Sequence, residues 1–431
     1  MKIWNKSSYS HFSTILSTAF LFCFFLPIST KISNIFLIVF LISISFLVLK
    51  GGLKYNRINR SALKYSTLIL IAPLLLSICY HGEFLSVINV LGRRISYLLL
   101  PLSFLFFSSE QLLSLKKWSF RGIVYGCTLS SIFLLSNNFW NYYATRPLFS
   151  IDSDLLNFYY TGFNFTEILD FHPSYFGMYV LFSLSILLFT KVFNSKKLRL
   201  FTFFFLSLTI LFLSSRVILF FYFLIIFVYI FQSFLLLYEN TKKAVLAFFV
   251  IGLIIFTSTY FIIKNTYIYA SLTKETIWEL SFNVNDKYNS KTLGDSRVAR
   301  WNVAIYLIKN QPLLGYGIGN EKDILEIGYR KKDMLISAAN RYDAHNLFLG
   351  YAIETGIIGL LILFYYLFNS LFLFYRFKKI MYFLFFVSIL GMCLIEDYLN
   401  NNAAITFLAF FGNLFLFQTL LLKANKEDEL S

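Results

Sequence analysis

The residues best suited to chemistry in this chain are a few arginines and a histidine set in a sequence made mostly of hydrocarbon. Arg297 and Arg300 stand three apart and so share a helical face. Arg216 follows Ser214 and Ser215 between two apolar runs, and His345 is followed by Asn346. Guanidinium groups hold phosphate-type oxygens bidentately and keep their charge at any relevant pH. They also stabilise charge that builds up on a departing diphosphate. A histidine can take the proton from an incoming hydroxyl. Together these types fit group transfer from a diphosphate carried at the headgroup level of a membrane. Each residue also has an ordinary structural reading. His345 and Asn346 would start and cap a helix, Arg216 would snorkel, and Arg297 with Arg300 would form a solvated basic face.

Other polar residues extend the set. His172, in DFHPSY, precedes a proline suited to the first position of a helix, so it reads either as a second functional histidine or as a helix start. Arg93 and Arg94 open an apolar run from the side that normally lacks cations, which an anionic substrate would explain. Glu354 lies nine residues after His345, about two and a half helical turns, so it points away from the histidine and into the bundle. Glu396 and Asp397 are adjacent, so on a helix they would not face one ligand. The segment 264–344 contains no DxD and no His-x-His, and no metal site or cofactor is expected. Gly315, Gly317 and Gly319 form a turn region; a dinucleotide motif would need a strand before it.

The elements that must position these residues are membrane helices. The hydrophobic fraction is 58%, the aromatic fraction 20% and the mean hydropathy +0.67. Charged residues make up 14% of the chain, where soluble domains carry about a quarter. Fifty-four phenylalanines exceed what a soluble core could hide, so the solvent for most of this surface is lipid. Runs of about twenty apolar residues predict about twelve spans. Their limits are 12–28, 32–49, 65–80, 90–107, 119–136, 173–190, 200–214, 217–237, 244–263, 346–368, 380–395 and 403–422. The first run lacks a cleavage site and reads as a retained helix. Cys23, Cys79, Cys127 and Cys393 all fall in apolar runs without metal-ligand spacing.

The formal net charge of +16 would suggest nucleic acid in a soluble protein. Here it follows the loops instead, and no nucleic-acid partner is expected. Lys50 to Lys64, Lys116 and Lys117, Lys191 to Arg199, Lys242 and Lys243, and Arg376 to Lys379 all fall on one side if the spans alternate. That side is cytoplasmic, with both termini on it. The expected division is 1–263 for spans one to nine, 264–344 for a large outer segment, and 345–431 for the last three spans and a tail. Within the outer segment Arg297, Trp301, Ala304 and Ile308 recur at helical spacing, which predicts an amphipathic helix with Trp301 at headgroup level. Asn310, Gln311 and Pro312 end it.

These motifs together resemble the O-antigen ligase and O-antigen polymerase family. The resemblance rests on R-x-x-x-W at Arg297 and Trp301, and on P-L-L-G-x-G-x-G from Pro312 to Gly319. It continues with H-N-x-x-L at His345, Asn346 and Leu349, with E-x-G-x-x-G at Glu354, Gly356 and Gly359, and with S-S-R at Ser214 to Arg216. It implies an all-α membrane glycosyltransferase of the GT-C type that works without metal. The implied donor is a glycan on undecaprenyl diphosphate, and the implied acceptor a sugar hydroxyl of lipid A–core at the periplasmic face of the bacterial inner membrane. His345 matches the base that activates the acceptor, and Arg216 and Arg297 match the arginines that hold the donor diphosphate, with Arg300 as an added neighbour. Asn346, His172, Arg93 and Arg94 are further candidates for substrate contact.

Within the family, a ligase of lipopolysaccharide biosynthesis is the first expectation and a repeat-unit polymerase the second. A flippase or other transporter is the rival of a different class. Transporters commonly show internal repeats and broken helices at the bilayer midplane; the sequence has no such repeat, and its polar residues gather at one face. A non-enzymatic scaffold of envelope assembly would leave the arginines and the histidine unexplained.

Overall fold

The structure is a computed structural model that describes residues 6–81, 84–145, 155–237, 269, 271–287 and 293–428. Helix supplies nearly all the regular structure there. The only sheet among the described residues pairs Asp286–Lys287 with Leu293–Gly294, antiparallel, Asp286 facing Gly294. Helices satisfy their own backbone groups, as hydrocarbon requires.

Among the described residues five helices are long and apolar enough to cross a membrane: Thr30–Leu49, Ser109–Ala144, Arg216–Leu235, Leu347–Arg376 and Asn402–Leu421. Two bent pairs, Val87–Arg94 with Ser96–Phe104 and Phe158–Leu169 with Pro173–Phe189, bring the number to seven if each is one span. Helix length alone therefore supports a smaller number than the sequence reading of about twelve. The reason is visible in the elements. The run 90–107 bends by 41°, and the run 65–80 begins as a tight 3-10 turn, Thr67–Ile71, before its helix starts at Ala72. Phe12–Phe25 and Ile380–Ile395 are apolar but short. The run 244–263 lies outside the described residues. On Thr30–Leu49 the side chains of Ile35, Ile38, Ile42 and Phe46 stay exposed as one stripe at helical spacing, a surface suited to lipid.

The chain forms two compact units. One comprises Cys23–Thr30 and Phe120–Ile277. At its centre is α1 (Pro173–Phe189), buried along nearly its whole length. It packs against α2 (Lys196–Leu213) and α3 (Arg216–Leu237). Gly177 permits the second contact, since a Cβ there would lie 2.7 Å from Ile218 Cγ1. Ser214 ends α2 in the left-handed conformation at φ 49°, and α3 begins two residues later.

The other unit comprises Met1–Phe22, Lys31–Ser119 and Trp278–Ser431. Its site is carried by α4 (Arg297–Asn310), α5 (Glu321–Lys331), α6 (Leu347–Arg376) and α7 (Ile380–Ile395). Ala299, Val303, Ala304 and Leu307 of α4 pack on Leu325 and Tyr329 of α5 and on Met334, Ala338, Ala344 and Ile353. This corrects the face expected for α4. The helix is where the sequence put it and ends at Asn310, but its buried stripe is 299, 300, 303, 304 and 307. Trp301 is half-buried, and its indole Nε1 donates to Ala344 O at 2.9 Å, so its ring is committed within the protein.

The glycine motif and the α6 motif are one structural device. α6 breaks at Gly356, which sits at φ 63°, ψ −166°. The break frees backbone groups, and the loop before α5 satisfies them. Tyr316 N donates to Ile353 O at 2.8 Å, Gly317 N to Glu354 O at 3.0 Å, and Ile357 N to Pro312 O at 2.8 Å. The strands of chain approach so closely that a Cβ on Gly356 would lie 2.2 Å from Leu313 O, and one on Gly315 2.4 Å from Ile353 O. Gly315, Gly317 and Gly319 all have positive φ. These glycines serve a clip between loop and broken helix.

Candidate active site

Four consecutive residues, Asp343 to Asn346, are fixed by side-chain contacts. Ala344 O accepts from Trp301, and Ala344 N donates to Glu321 Oε1 at 3.3 Å. His345 adopts φ 45°, a left-handed conformation costing about 1 kcal/mol or more for a residue with a Cβ. Its N–H donates to Asp343 Oδ1 at 3.0 Å, which supports that turn. Asn346 caps α6 by accepting from Phe348 N and Leu349 N, and its Nδ2 donates to Leu394 O at 3.0 Å near the end of α7. The capping reading of Asn346 is thus realised, and it ties the start of α6 to the end of α7.

The His345 ring is part-exposed and faces two carboxylates. Nδ1 lies 3.2 Å from Glu396 Oε2, and Nε2 lies 3.6 Å from Asp343 Oδ1, too long for a hydrogen bond. The ring also meets Tyr342 edge-on. The second oxygen of Glu396 is 3.6 Å from Arg297 Nη2. Arg297 Nη1 donates to Ile395 O at 2.7 Å, and so caps the carbonyl end of α7, where a cation is favoured. His345 and Arg297, far apart in sequence, therefore meet on one carboxylate.

Glu279 completes the arginine side. Its Oε2 accepts from Arg297 N at 2.9 Å and lies 3.9 Å from Arg297 Nε and 3.7 Å from Arg300 Nη2. Arg300 is buried rather than solvated, and its guanidinium lies 5.4 Å from the Tyr342 ring centroid. A bidentate guanidinium pair with a ring beside it can receive phosphate-type oxygens once the carboxylate gives way.

The remaining candidates separate. Arg94 is buried and Arg93 is exposed. Arg94 donates to Asn400 Oδ1, lies 3.8 Å from Glu354 Oε2, and stands over Tyr351. Asn400 in turn donates to both Asp397 oxygens, at 2.8 and 2.7 Å. Glu354 Oε1 accepts from Gly319 N at 2.8 Å. Arg94, Asn400, Asp397 and Glu354 thus form one network. Adjacent Glu396 and Asp397 thus face different partners. Burial first, and then the Asp343 charge, pushes the Asp397 carboxyl up to about 7, against the pull of the Asn400 hydrogen bond. Glu321 is raised well above the usual carboxylate range by burial, then by the charges of Asp397, Glu354 and Asp343. Its carboxylate rests on α6 where Gly350 leaves room: a Cβ there would lie 2.6 Å from Glu321 Oε1.

In the unit around α1, His172 caps that helix, its Nδ1 accepting from Ser174 N at 3.4 Å. Arg216 opens α3, where the helix dipole disfavours a cation, and Glu275 offsets this with an ion pair at 3.1 Å. Glu279, Glu275, Glu396 and Asp343 were not singled out by sequence as site residues. For Glu396 a signal existed: it directly follows an apolar run at the end expected to lie on the same side as His345.

Residues 201–364 match the family model described as O-antigen ligase, which is consistent with the O-antigen ligase and polymerase family, and the match fits the apolar helices of a multi-pass membrane protein. The match takes in Arg216, Arg297, Arg300 and His345, and stops short of Glu396. No curated protein matches the chain.

Proposed function

We propose that this protein transfers a glycan from undecaprenyl diphosphate to a sugar hydroxyl, as an O-antigen ligase does, at the periplasmic face of the inner membrane. The observation that carries the reading is the meeting of His345 and Arg297 on Glu396, 3.2 and 3.6 Å away, inside an apolar protein. In this reading His345 takes the acceptor proton through Nε2. The acceptor oxygen forms a bond to the anomeric carbon, the bond to the diphosphate breaks, and its electron pair leaves with the diphosphate. Arg297 and Arg300 receive that charge; guanidinium groups supply the stabilisation without a metal. Twelve spans with cytoplasmic termini would put the segment 264–344 outside. Asn346 and His172 hold backbone at helix starts, Arg94 holds the side chains of Asn400 and Glu354, and exposed Arg93 can meet an anionic headgroup. The acceptor is lipid A–core rather than a second lipid-linked repeat unit, a choice that rests on the His-Asn pair.

The test is complementation of a deletion strain with His345→Ala, Arg297→Ala and Arg300→Ala, at matched protein level. Each variant is expected to leave lipid A–core without long glycan while lipid-linked polymer accumulates. Normal surface glycan in the His345 variant would remove the base assignment. A single repeat left on the core would make the protein a polymerase.

A further inference from the structure

Glu396 gives its two oxygens to different partners. Oε2 meets His345 Nδ1 and Oε1 meets Arg297 Nη2. It stands at the C-cap of α7, where its backbone N–H donates to Met392 O at 2.8 Å. The helix end behind it is held twice, by Arg297 on Ile395 O and by Asn346 on Leu394 O. Its side chain is 13% exposed, so the contact with the ring is little diluted by water. A carboxylate fixed in this way accepts a hydrogen bond from the ring nitrogen it faces. That selects the tautomer with hydrogen on Nδ1 and leaves the Nε2 lone pair open.

We propose that Glu396 is a positioning residue for the reaction, setting the tautomer and orientation of His345 and stabilising the imidazolium formed when Nε2 takes the acceptor proton. Arg297 has a share in this role, because its guanidinium holds Glu396 as well as serving the donor. The groups facing the imidazole are then Glu396 from the end of α7, Asp343 and Tyr342 from the turn before α6, and Arg297 of α4 behind Glu396. Asp343 bonds the backbone N–H of His345 and reaches Nε2 only at 3.6 Å, so it shapes the turn and leaves Nε2 accessible.

The inference rests on His345 acting as the base, and the experiment separates the two. Glycan transfer is followed from pH 5.5 to about 9 with the full-length protein in detergent. The donor is lipid-diphosphate glycan and the acceptor is core lipid, both extracted from cells lacking the enzyme. Glu396→Gln keeps the shape and loses the charge. It is expected to cost at least about tenfold in rate, and no more than the roughly 10²–10⁴-fold that base catalysis supplies. It should also move the acid limb of the pH profile to lower pH, because a neutral amide no longer favours the imidazolium. Glu396→Asp keeps the charge and withdraws it, so the rate should fall while the acid limb stays near its original pH. A Glu396→Gln enzyme with unchanged rate and profile, beside an inactive His345→Gln, overturns the proposal and spares the base. An active His345→Gln overturns both. Should Glu396→Gln fail to fold, a Glu396→Asp enzyme with unchanged rate overturns the proposal.

Discussion

At the residue scale, the site holds charge that burial would normally forbid, and the way it does so is open to measurement. Arg94 is buried because Asn400, Glu354 and Tyr351 surround its guanidinium. Asp397, beyond Asn400, has its carboxyl pushed up to about 7 by burial and by the Asp343 charge. An unfolded aspartate titrates near about 3.9. The folded protein therefore binds this proton more tightly than the unfolded chain does. The resulting stability is complete below about pH 4 and is lost as the pH rises through about 7. Glu321 acts in the same direction. The thermal midpoint of the purified protein in detergent should fall from about pH 5 to about pH 8, and Asp397→Asn should flatten that fall. An equal slope in wild type and variant would mean that Asp397 carries no such proton. Sequence spacing set Glu396 apart from Asp397 on the ground that helical neighbours do not share a face, whereas both lie just past the end of α7. It could not assign their partners, because Arg94 and His345 come from distant stretches.

At the element scale, the clip between the glycine loop and the broken helix α6 turns two loose motifs into one requirement. Gly356→Ala would force a Cβ into Leu313 O at φ 63°, and Gly315→Ala would force one into Ile353 O at φ 69°. Each is expected to cost more than the roughly 1–2 kcal/mol of the left-handed conformation alone, since backbone stands in the way. Gly92→Ala is the contrast: nothing lies within 4 Å of its Cβ. In its helix the change should be neutral or stabilise by about 0.5–1 kcal/mol. Thermal unfolding of the three variants in detergent checks the order; a Gly356→Ala protein as stable as Gly92→Ala would remove the clip. The sequence made the turn at these glycines legible, as well as the start and end of α4. The partner of the turn was not legible. Nothing in local periodicity marks a helix that breaks and borrows hydrogen bonds from a loop. The buried face of α4 was misjudged for a related reason. Arg300 reads as a surface cation, and only Glu279 and Tyr342 in space make its burial affordable.

At the scale of the whole molecule, the chemistry depends on which side of the membrane the segment 264–344 occupies. Lysine and arginine placement argues for the outside, because the cation-rich short loops then share the cytoplasmic face. Two exposed lysines of one unit, Lys54 and Lys322, fall on opposite sides in that scheme. Single cysteines at each, in a background where exposed Cys79 is serine, can be probed with a membrane-impermeant maleimide on spheroplasts. Lys322→Cys should label at once, and Lys54→Cys only after the membrane is opened. Labelling of Lys54→Cys alone would place His345 and Arg297 on the wrong face for a donor whose glycan has already crossed, and labelling of both from outside would overturn the alternation of spans while leaving that segment outside. The outcome bears on mechanism as well as address. Proton release from His345 into an external compartment exposes the rate to external pH, so an inverted orientation would uncouple the acid limb expected for transfer from the medium and tie it to the cytoplasm instead.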